Sequence, residues 1–229
     1  ISFFSIFFIY NLILFRNRDK NFFYEDYNLL LYVVILVLVF LFFFGYNNDF
    51  INIVFSIFSS ISNIGISLNS EFTNLHFIFL ILVIIGGSFF STSSGLRFIK
   101  IYSLIIFSLN QILSFSKPRN IFMNRLLFSK TNFKLNEINK YFLSIIIFII
   151  SLFTLTSLIT FSGIDFEQCL KISILTLMNT VHSASYGISG FDFQNINFVT
   201  KYSLILFMIV GRIELLTLLL IIKKYLFKN

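Results

Sequence analysis

The sequence Gly86-Gly87-Ser88-Phe89-Phe90-Ser91-Thr92-Ser93-Ser94-Gly95 interrupts one of the most apolar stretches of the chain. Ile, Leu, Val and Phe fill residues 77–85 before it, and residues 96–109 after it are again mainly apolar. Glycine and hydroxyl residues disfavour a lipid-facing helix, because a backbone group left unpaired in hydrocarbon costs several kcal/mol. We therefore predict that this island is buried in protein or lines a watery cavity, as in a protein that conducts a solute.

The composition is that of an integral membrane protein. Hydrophobic residues make up 57% of the 229 residues and charged residues 12%, against roughly 25% charged residues in soluble domains. The net charge of +7 does not indicate nucleic-acid binding, because basic residues of membrane proteins collect on the cytoplasmic side. A single cysteine, Cys169, excludes an intrachain disulfide and a cysteine zinc site. The sequence has no catalytic constellation, and we expect neither an enzyme nor a cofactor.

Long and short apolar segments alternate along the chain. A spanning helix needs about 20 residues, and shorter apolar runs are often re-entrant. The long segments are residues 28–44, 72–109, 141–161 and 199–222, and the short ones are residues 50–62 and 166–178. Because the order long, short, long occurs twice, we predict an all-α membrane protein with two repeats of helix, re-entrant pore loop and helix. The predicted parts are the end of a preceding transmembrane helix at 1–20, a repeat with a broken second helix at 21–116, a connector at 117–140 and the last repeat at 141–229.

The two short segments also match residue by residue. Asp49-Phe50 opens the first and Asp165-Phe166 opens the second. The same offset pairs Ser60 with Thr176, Asn63 with Asn179 and Ser67 with Ser183, and in the helices that follow we place Gly86-Gly87 opposite Gly211-Arg212. The match supports two structural copies of one unit.

The charges predict an orientation. No Lys or Arg occurs between residues 21 and 96, whereas basic residues cluster at 16–20, 97–140 and 223–228. The positive-inside rule places these clusters in the cytoplasm and the connectors beside the short segments outside, in a multi-pass plasma-membrane protein. The outer connectors carry Asp49, Glu71, Asp165, Glu167 and Asp192. An acidic mouth concentrates cations, although acidic residues are also simply tolerated on that side.

Each short segment is followed by a candidate selectivity filter. In such filters the backbone carbonyls of an extended polar segment replace the hydration shell of a cation. We predict one filter at Ser62-Asn63-Ile64-Gly65-Ile66 and a second at Met178-Asn179-Thr180-Val181-His182. Glycine suits a filter strand because it adopts backbone angles that a side chain opposes, and Val181 takes that place in the second copy. Either segment alone would equally be an ordinary polar loop, and the repeat favours the filter.

Arg212 is the most informative single residue. It lies in a helix that is nearly free of charge apart from Glu214, and an arginine at a helix centre costs about 2.5–3.5 kcal/mol on insertion scales. We expect it to face the protein interior or a watery path, either as a partner of structural carbonyls or as a fixed positive charge beside an ion path. His76, His182 and Cys169 lack metal-ligand spacing and are expected to pack.

These motifs together resemble the Trk/Ktr/HKT superfamily of cation transporters, specifically the Trk-type potassium uptake subunit. The family pattern Gly-Gly-x-x-x-Ser-Thr-x-x-Gly followed by basic residues matches residues 86–95 with Arg97 and Lys100, and its Gly-Arg-x-Glu pattern matches residues 211–214. Lys117-Pro118-Arg119 is similar to the family's connector between its last two repeats. The resemblance covers nearly the whole chain. It implies a pseudo-fourfold, potassium-channel-like pore of four repeats, of which this chain would be the C-terminal half.

The resemblance also implies roles for the motifs. The filter residues would be Ser62, Asn63, Ile64, Gly65, Met178, Asn179, Thr180 and Val181. The island would be a flexible gate below the filter, formed by Gly86, Gly87, Ser88, Ser91, Thr92, Ser93, Ser94 and Gly95, and Arg212 would stand near it as a barrier to ions. Val181 departs from the family's glycine, and a shifted alignment through Gly187 is the alternative.

The resemblance implies potassium as the transported ion, with sodium as an alternative because of Val181. It further implies a homodimer of transporter subunits, a cytoplasmic nucleotide-binding regulatory subunit and the bacterial inner membrane. The competing interpretation is a non-conducting multi-pass scaffold or permease subunit, whose short segments would be interfacial helices.

Overall fold

The computed structural model is all-helical over the residues that it describes, and no strand occurs among them. The helices there are α1 Phe23–Phe44, α2 Phe50–Ile61, α3 His76–Ile84, α4 Phe98–Ser116, α5 Leu135–Thr160, α6 Phe166–Leu177 and α7 Phe198–Ile213. The described residues are 3–6, 8, 10, 23–44, 50–66, 76–88, 91, 93–116, 125, 127, 133–181, 186–188 and 196–213. The predicted all-α architecture is confirmed.

Three helices are long and apolar enough to cross a membrane, at Tyr24–Phe43, Phe98–Ser116 and Leu135–Thr160. Their outer faces carry large apolar side chains, such as Phe42 at 86% and Phe115 at 82% exposure. A surface of this kind suits a lipid environment, whereas in water it would drive association. The chain is therefore a membrane protein, as its composition indicates.

The short helices α2 and α6, which we call the pore helices, are the copies that the sequence repeat predicts. Each has 12 residues, and they begin at Phe50 and Phe166. The centre of the molecule lies around α6, in which every residue from Ile172 to Leu177 is buried. Its neighbours in space are α3, α5 and α7. Protein therefore surrounds the second half of this short helix.

The island breaks the helix that follows α2, as predicted. Helix α3 ends at Ile84 and α4 begins at Phe98, and an isolated bridge pairs Ile85 with Leu96 between them. In the second repeat the corresponding helix α7 is continuous over its described length. The first repeat therefore has a loop where the second has a helix.

Two helices begin earlier than the apolar pattern predicts. Helix α5 starts at Leu135, within the segment assigned to the connector, where the Glu137 carboxylate accepts a hydrogen bond from Lys134 N–H at 3.3 Å. This bond pairs a backbone N–H group at the helix start, so a polar segment can open a helix. Helix α1 likewise starts at Phe23 and includes the acidic pair Glu25 and Asp26 in its first turn.

Candidate ion pathway

Both pore helices end in the same turn. Asn63 and Asn179 adopt left-handed backbone angles, with φ of +57° and +52°. Asparagine tolerates this conformation better than most residues and commonly ends helices in this way. The closing bonds are also duplicated, with Ile64 N–H donating to Ser59 O at 3.1 Å and Thr180 N–H donating to Leu175 O at 2.9 Å. The turns at Ser62–Gly65 and Met178–Val181, which we call the pore turns, are thus structural copies.

The two pore turns lie against each other. Val181 N–H donates to Ile64 O at 3.4 Å. Gly65 has φ +79°, and an added Cβ would lie 2.5 Å from Val181 O and 2.8 Å from Thr180 Cγ2. Glycine is therefore required at position 65 both by its backbone angle and by the neighbouring turn.

Val181 differs from Gly65 in conformation as well as in side chain. Among the described residues other than glycine, only Asn63 and Asn179 have positive φ, so the Val181 backbone stays in the ordinary region. Its side chain is 59% exposed. Valine is therefore accommodated without backbone strain, and the second turn does not reproduce the left-handed angle of Gly65.

The alternative alignment through Gly187 receives no support from the packing. An added Cβ on Gly187 would lie 2.8 Å from the His76 ring and 3.0 Å from Lys171 Nζ. Lys171 is buried, pairs with Glu167 at 2.6 Å and lies 5.3 Å from the centre of the Phe77 ring. The hydrogen bond and charge of Lys171 hold the pKa of the Glu167 carboxyl below its usual value. Gly187 thus belongs to a cluster with His76 and Lys171, and not to the contact between the pore turns.

Two side-chain oxygens at the pore turns have no hydrogen-bond partner within the part of the chain that the structure describes. They are Asn63 Oδ1 and Thr180 Oγ1, on residues that are 7% and 2% exposed. A buried polar atom without a partner calls for an explanation such as a water or an ion. The hydroxyl of Ser62, by contrast, donates to Ser59 O at 3.2 Å. Oxygen ligands are the kind that alkali cations use in filters.

The amide groups of the two asparagines tie the pore turns to the helices that follow them. Asn63 Nδ2 donates to Ser94 O at 2.7 Å and is 3.5 Å from Met178 O. Asn179 Nδ2 donates to Met208 O at 3.0 Å. Equivalent side chains therefore pair Ser94 with Met208, which is not the pairing of Gly86-Gly87 with Gly211-Arg212 expected from the sequence. The break in the first repeat shifts the correspondence, because a loop there takes the place of helical turns.

Backbone hydrogen bonds join the two ends of the island, and we call its described residues, 86–88, 91 and 93–95, the island loop. Gly86 N–H donates to Leu96 O at 2.8 Å, and Leu96 N–H donates to Ile84 O at 3.2 Å. Inside the loop the Ser93 hydroxyl accepts from Gly87 N–H at 2.9 Å and lies 2.9 Å from Ser91 Oγ. Ser93 thus satisfies one backbone group that the break frees, Gly87 N–H, and backbone carbonyls satisfy Gly86 N–H and Ser88 N–H, as irregular backbone buried in a membrane protein requires.

The buried parts of the island loop are Gly86, Gly87, Ser88 and Ser94, while Ser91, Ser93 and Gly95 are half-buried. Thr92 lies outside the described residues. The Asn63 bond to Ser94 O places the loop directly against the first pore turn. The structure thus brings together one predicted filter and the predicted gate.

Arg212 lies near the end of α7 and is exposed on the surface of the described chain. Within the described ranges it forms no hydrogen bond or ion pair, and Glu214 lies beyond them. The neighbouring Gly211 packs directly on Leu177 O at the end of α6. Gly95 and Gly211 line one cavity together with Lys100, Ser144 and Met178. Helix α7 is therefore beside the end of the island loop, but Arg212 is not a partner of its carbonyls there.

One contact of the island loop has no signature in the sequence. Ser88 N–H donates to the backbone carbonyl of Phe3 at 2.9 Å. A backbone acceptor can be supplied by any residue type, so no residue pattern indicates it. A buried carboxylate, Asp26, lies behind this segment.

No family model matches the chain, and no curated protein matches its sequence. Among solved structures, the potassium transporter TrkH from Vibrio parahaemolyticus superposes with a TM-score of 0.67 at 20% sequence identity. The match covers 86% of this chain and 43% of TrkH. The chain therefore has a Trk-like fold and spans less than half the length of the transporter that it matches.

Proposed function

We propose that this chain is part of a potassium-conducting transporter of the Trk type and that the two pore turns supply two of its filter segments. One observation carries the proposal: the duplicated turns, each closed by a left-handed asparagine, lie in direct contact through Val181 N–H and Ile64 O. Adjacent copies of one turn around an axis are what a filter requires. A left-handed asparagine by itself is a common helix end, so the support for the proposal comes from the direct contact between two turns that also match in sequence.

The remaining sides of the pore would come from two further repeats. Ile64 is 46% exposed and Val181 is 59% exposed, so the pore turns present an open side. The Asn63 and Thr180 side-chain oxygens, which have no partner among the described residues, lie at the same turns. The length of TrkH relative to this chain agrees with the proposal that the chain is the C-terminal half of such a transporter.

The island loop would be the gate of this pathway. It packs against the first pore turn through Asn63 and Ser94, so a cation leaving the filter would meet it next. Arg212, exposed on α7 beside the end of the loop, would add a positive charge that opposes cations. We propose potassium as the main ion, a homodimer in the bacterial inner membrane and a nucleotide-binding regulatory subunit on the cytoplasmic side.

Growth and uptake measurements test this function. The protein, as its gene encodes it, is expressed in bacteria that lack their own potassium uptake systems. We expect growth at low potassium and uptake of rubidium, a potassium analogue. Arg212→Ala should raise uptake roughly tenfold, because one unit charge near the path changes the barrier by about a kcal/mol or more. Lys201→Ala, which removes a charge from the same helix near its other end, is the matched control.

The outcomes separate the parts of the proposal. Folded, membrane-inserted protein that supports neither growth nor uptake would favour the non-conducting scaffold and reject conduction. Unchanged uptake in Arg212→Ala would reject the barrier role of that residue alone. Sodium uptake as fast as potassium uptake would reject potassium selectivity and leave cation conduction in place.

A further inference from the structure

A segment near the start of the chain, Phe3–Ser5, packs against the island loop. The Phe3 carbonyl accepts from Ser88 N–H at 2.9 Å. The Phe3 ring is 2% exposed and stacks on Phe58 of α2, with ring centres 5.8 Å apart. The Phe3 carbonyl also fills the place where a Cβ on Gly87 would go. Backbone therefore meets backbone here, and the loop cannot move in this direction without displacing Phe3.

Asp26 holds this segment in place. Its carboxylate is fully buried in the first turn of α1 and accepts from Ser5 N–H at 2.9 Å and from the Ser5 hydroxyl. Ser5 is itself buried, and its hydroxyl accepts from Phe8 N–H at 3.1 Å. A carboxylate that receives two donors from one residue fixes that residue in both position and orientation.

The island loop is thus held by a hydrogen bond near each of its two ends, and the two bonds come from different parts of the chain. Asn63 of the first pore turn binds Ser94 O near the end of the loop, and Phe3 O binds Ser88 N–H near its start. The first of these bonds comes from a pore turn. The second depends on Asp26, whose hydrogen bonds within the described residues go to Ser5. A change at Asp26 therefore reaches the loop through Ser5 and Phe3.

We propose that Asp26 is a positioning residue that keeps the island loop closed by holding Ser5 and, through it, the Phe3 carbonyl. The inference rests on the proposed function in that the loop is taken to be the gate. It assigns a role in gating to a buried carboxylate at the start of α1, outside every predicted filter and gate residue. Weakening the hold on Ser5 frees Phe3 and lets the loop open more often.

The accessibility of the loop tests this proposal without reference to transport. A single cysteine is introduced by Ser91→Cys, and its rate of modification by a charged thiol reagent is measured in the purified complete protein. Cys169 is fully buried, and its background labelling is measured in the protein without the new cysteine. The Ser91→Cys protein is the parent with which the variants below are compared. Asp26→Asn keeps the shape but leaves one oxygen to accept from two donors. We expect about fivefold faster labelling, as for the loss of one buried hydrogen bond.

Two further variants provide the control and a milder perturbation. Glu25→Gln changes the neighbouring buried carboxylate of the same turn, and we expect its labelling rate to stay within about twofold of the parent. Ser5→Ala removes the hydroxyl and keeps the backbone N–H, so an increase of about twofold is expected. Ser5→Ala tests the proposal in the case that Asp26→Asn does not fold.

Labelling rates for Asp26→Asn or Ser5→Ala that equal the parental rate would overturn the proposal. So would faster labelling in Glu25→Gln as large as in Asp26→Asn, since the effect would then be general loosening. Rubidium uptake is measured with the same protein variants. A loop that opens more often should raise the rate of uptake by about the same factor as the rate of labelling. A parent that shows no uptake while the labelling differences persist would reject the proposed function and retain the positioning role.

Discussion

The pore turns at Ser62–Gly65 and Met178–Val181 leave their helices in the same conformation and then diverge. Asn63 and Asn179 make the same left-handed step, but Gly65 continues with φ +79° whereas Val181 does not. The asparagine therefore sets the turn, and it does so in both repeats. The glycine has a separate cause, because the place of its missing side chain is filled by the backbone of the neighbouring turn.

The helices after the pore turns differ more strongly. Asn63 binds a carbonyl of the island loop, at Ser94, and Asn179 binds a carbonyl of the continuous helix α7, at Met208. One amide group thus holds a loop in the first repeat and a helix in the second. The loop is closed by a few separate hydrogen bonds that can break one at a time, whereas the helix is held by a continuous series of backbone hydrogen bonds. Under the proposed function, this difference makes the first repeat the one that would contain the movable part of the pathway.

The largest expected effect is at Gly65. Gly65→Ala places a side chain on a residue with a left-handed backbone angle, which lowers the free energy of unfolding by about 1–2 kcal/mol. The clash of the new methyl group with Val181 lowers it by roughly 1–3 kcal/mol more. Rubidium uptake should fall more than tenfold. The thermal midpoint in detergent should fall as well, by about 2–4 °C for each kcal/mol.

Val181→Ala is the matched control for Gly65→Ala, because it changes the equivalent position, which is exposed and free of positive φ. Its uptake and midpoint should stay near those of the parent. Equal losses in the two variants would show that the pore turns do not differ in the way described.

An intermediate effect is expected at the two asparagines. Asn63→Ala removes the bonds to Ser94 O and Met178 O, and Asn179→Ala removes the bond to Met208 O. At about 0.5–1.5 kcal/mol for a full bond, the first variant should be destabilised more than the second, because Asn63 has the shorter bond and the additional long contact with Met178 O. The thermal midpoints of both variants measure this difference.

Glycine substitutions separate the side chain of each asparagine from its backbone angle. Asn63→Gly and Asn179→Gly keep the left-handed conformation accessible and lose only the amide group. If Asn63→Gly were as stable as the parent, the hydrogen bond from the Asn63 side chain to the island loop would contribute nothing to stability, which would contradict the account.

The smallest expected effect on stability is at Val181 when it becomes glycine. Val181→Gly should change the free energy of unfolding by less than about 1 kcal/mol, because the side chain is exposed. Its informative readout is the ratio of rubidium to sodium uptake, which we expect to rise as both turns acquire the same residue. An unchanged ratio would remove Val181 from the account of ion selectivity.

The residue pattern predicts much of this arrangement for physical reasons. Spanning length and repeat offset follow from apolar segments, so the pore helices were placed at Phe50 and Phe166. The break at residues 86–95 follows from the chemistry of glycine and serine. What the pattern cannot give is where backbone groups meet, such as Val181 N–H on Ile64 O or Ser88 N–H on Phe3 O.

Two expectations failed, each for its own reason. By their contacts, Gly86-Gly87 and Gly211-Arg212 are not equivalent. The loop replaces helical turns, and a sequence comparison does not show how many. The start of α5 at Leu135 was missed because polar capping residues look like part of a connector. Asp26 gave no signal either, because an acidic residue in the first turn of a helix is ordinary.

The most direct test of the central claim is rubidium flux through the purified complete protein in liposomes. We predict uptake well above that of protein-free liposomes, competed more strongly by potassium than by sodium and reduced more than tenfold by Gly65→Ala. Correctly folded parental protein whose liposomes take up no more rubidium than protein-free ones would contradict the account.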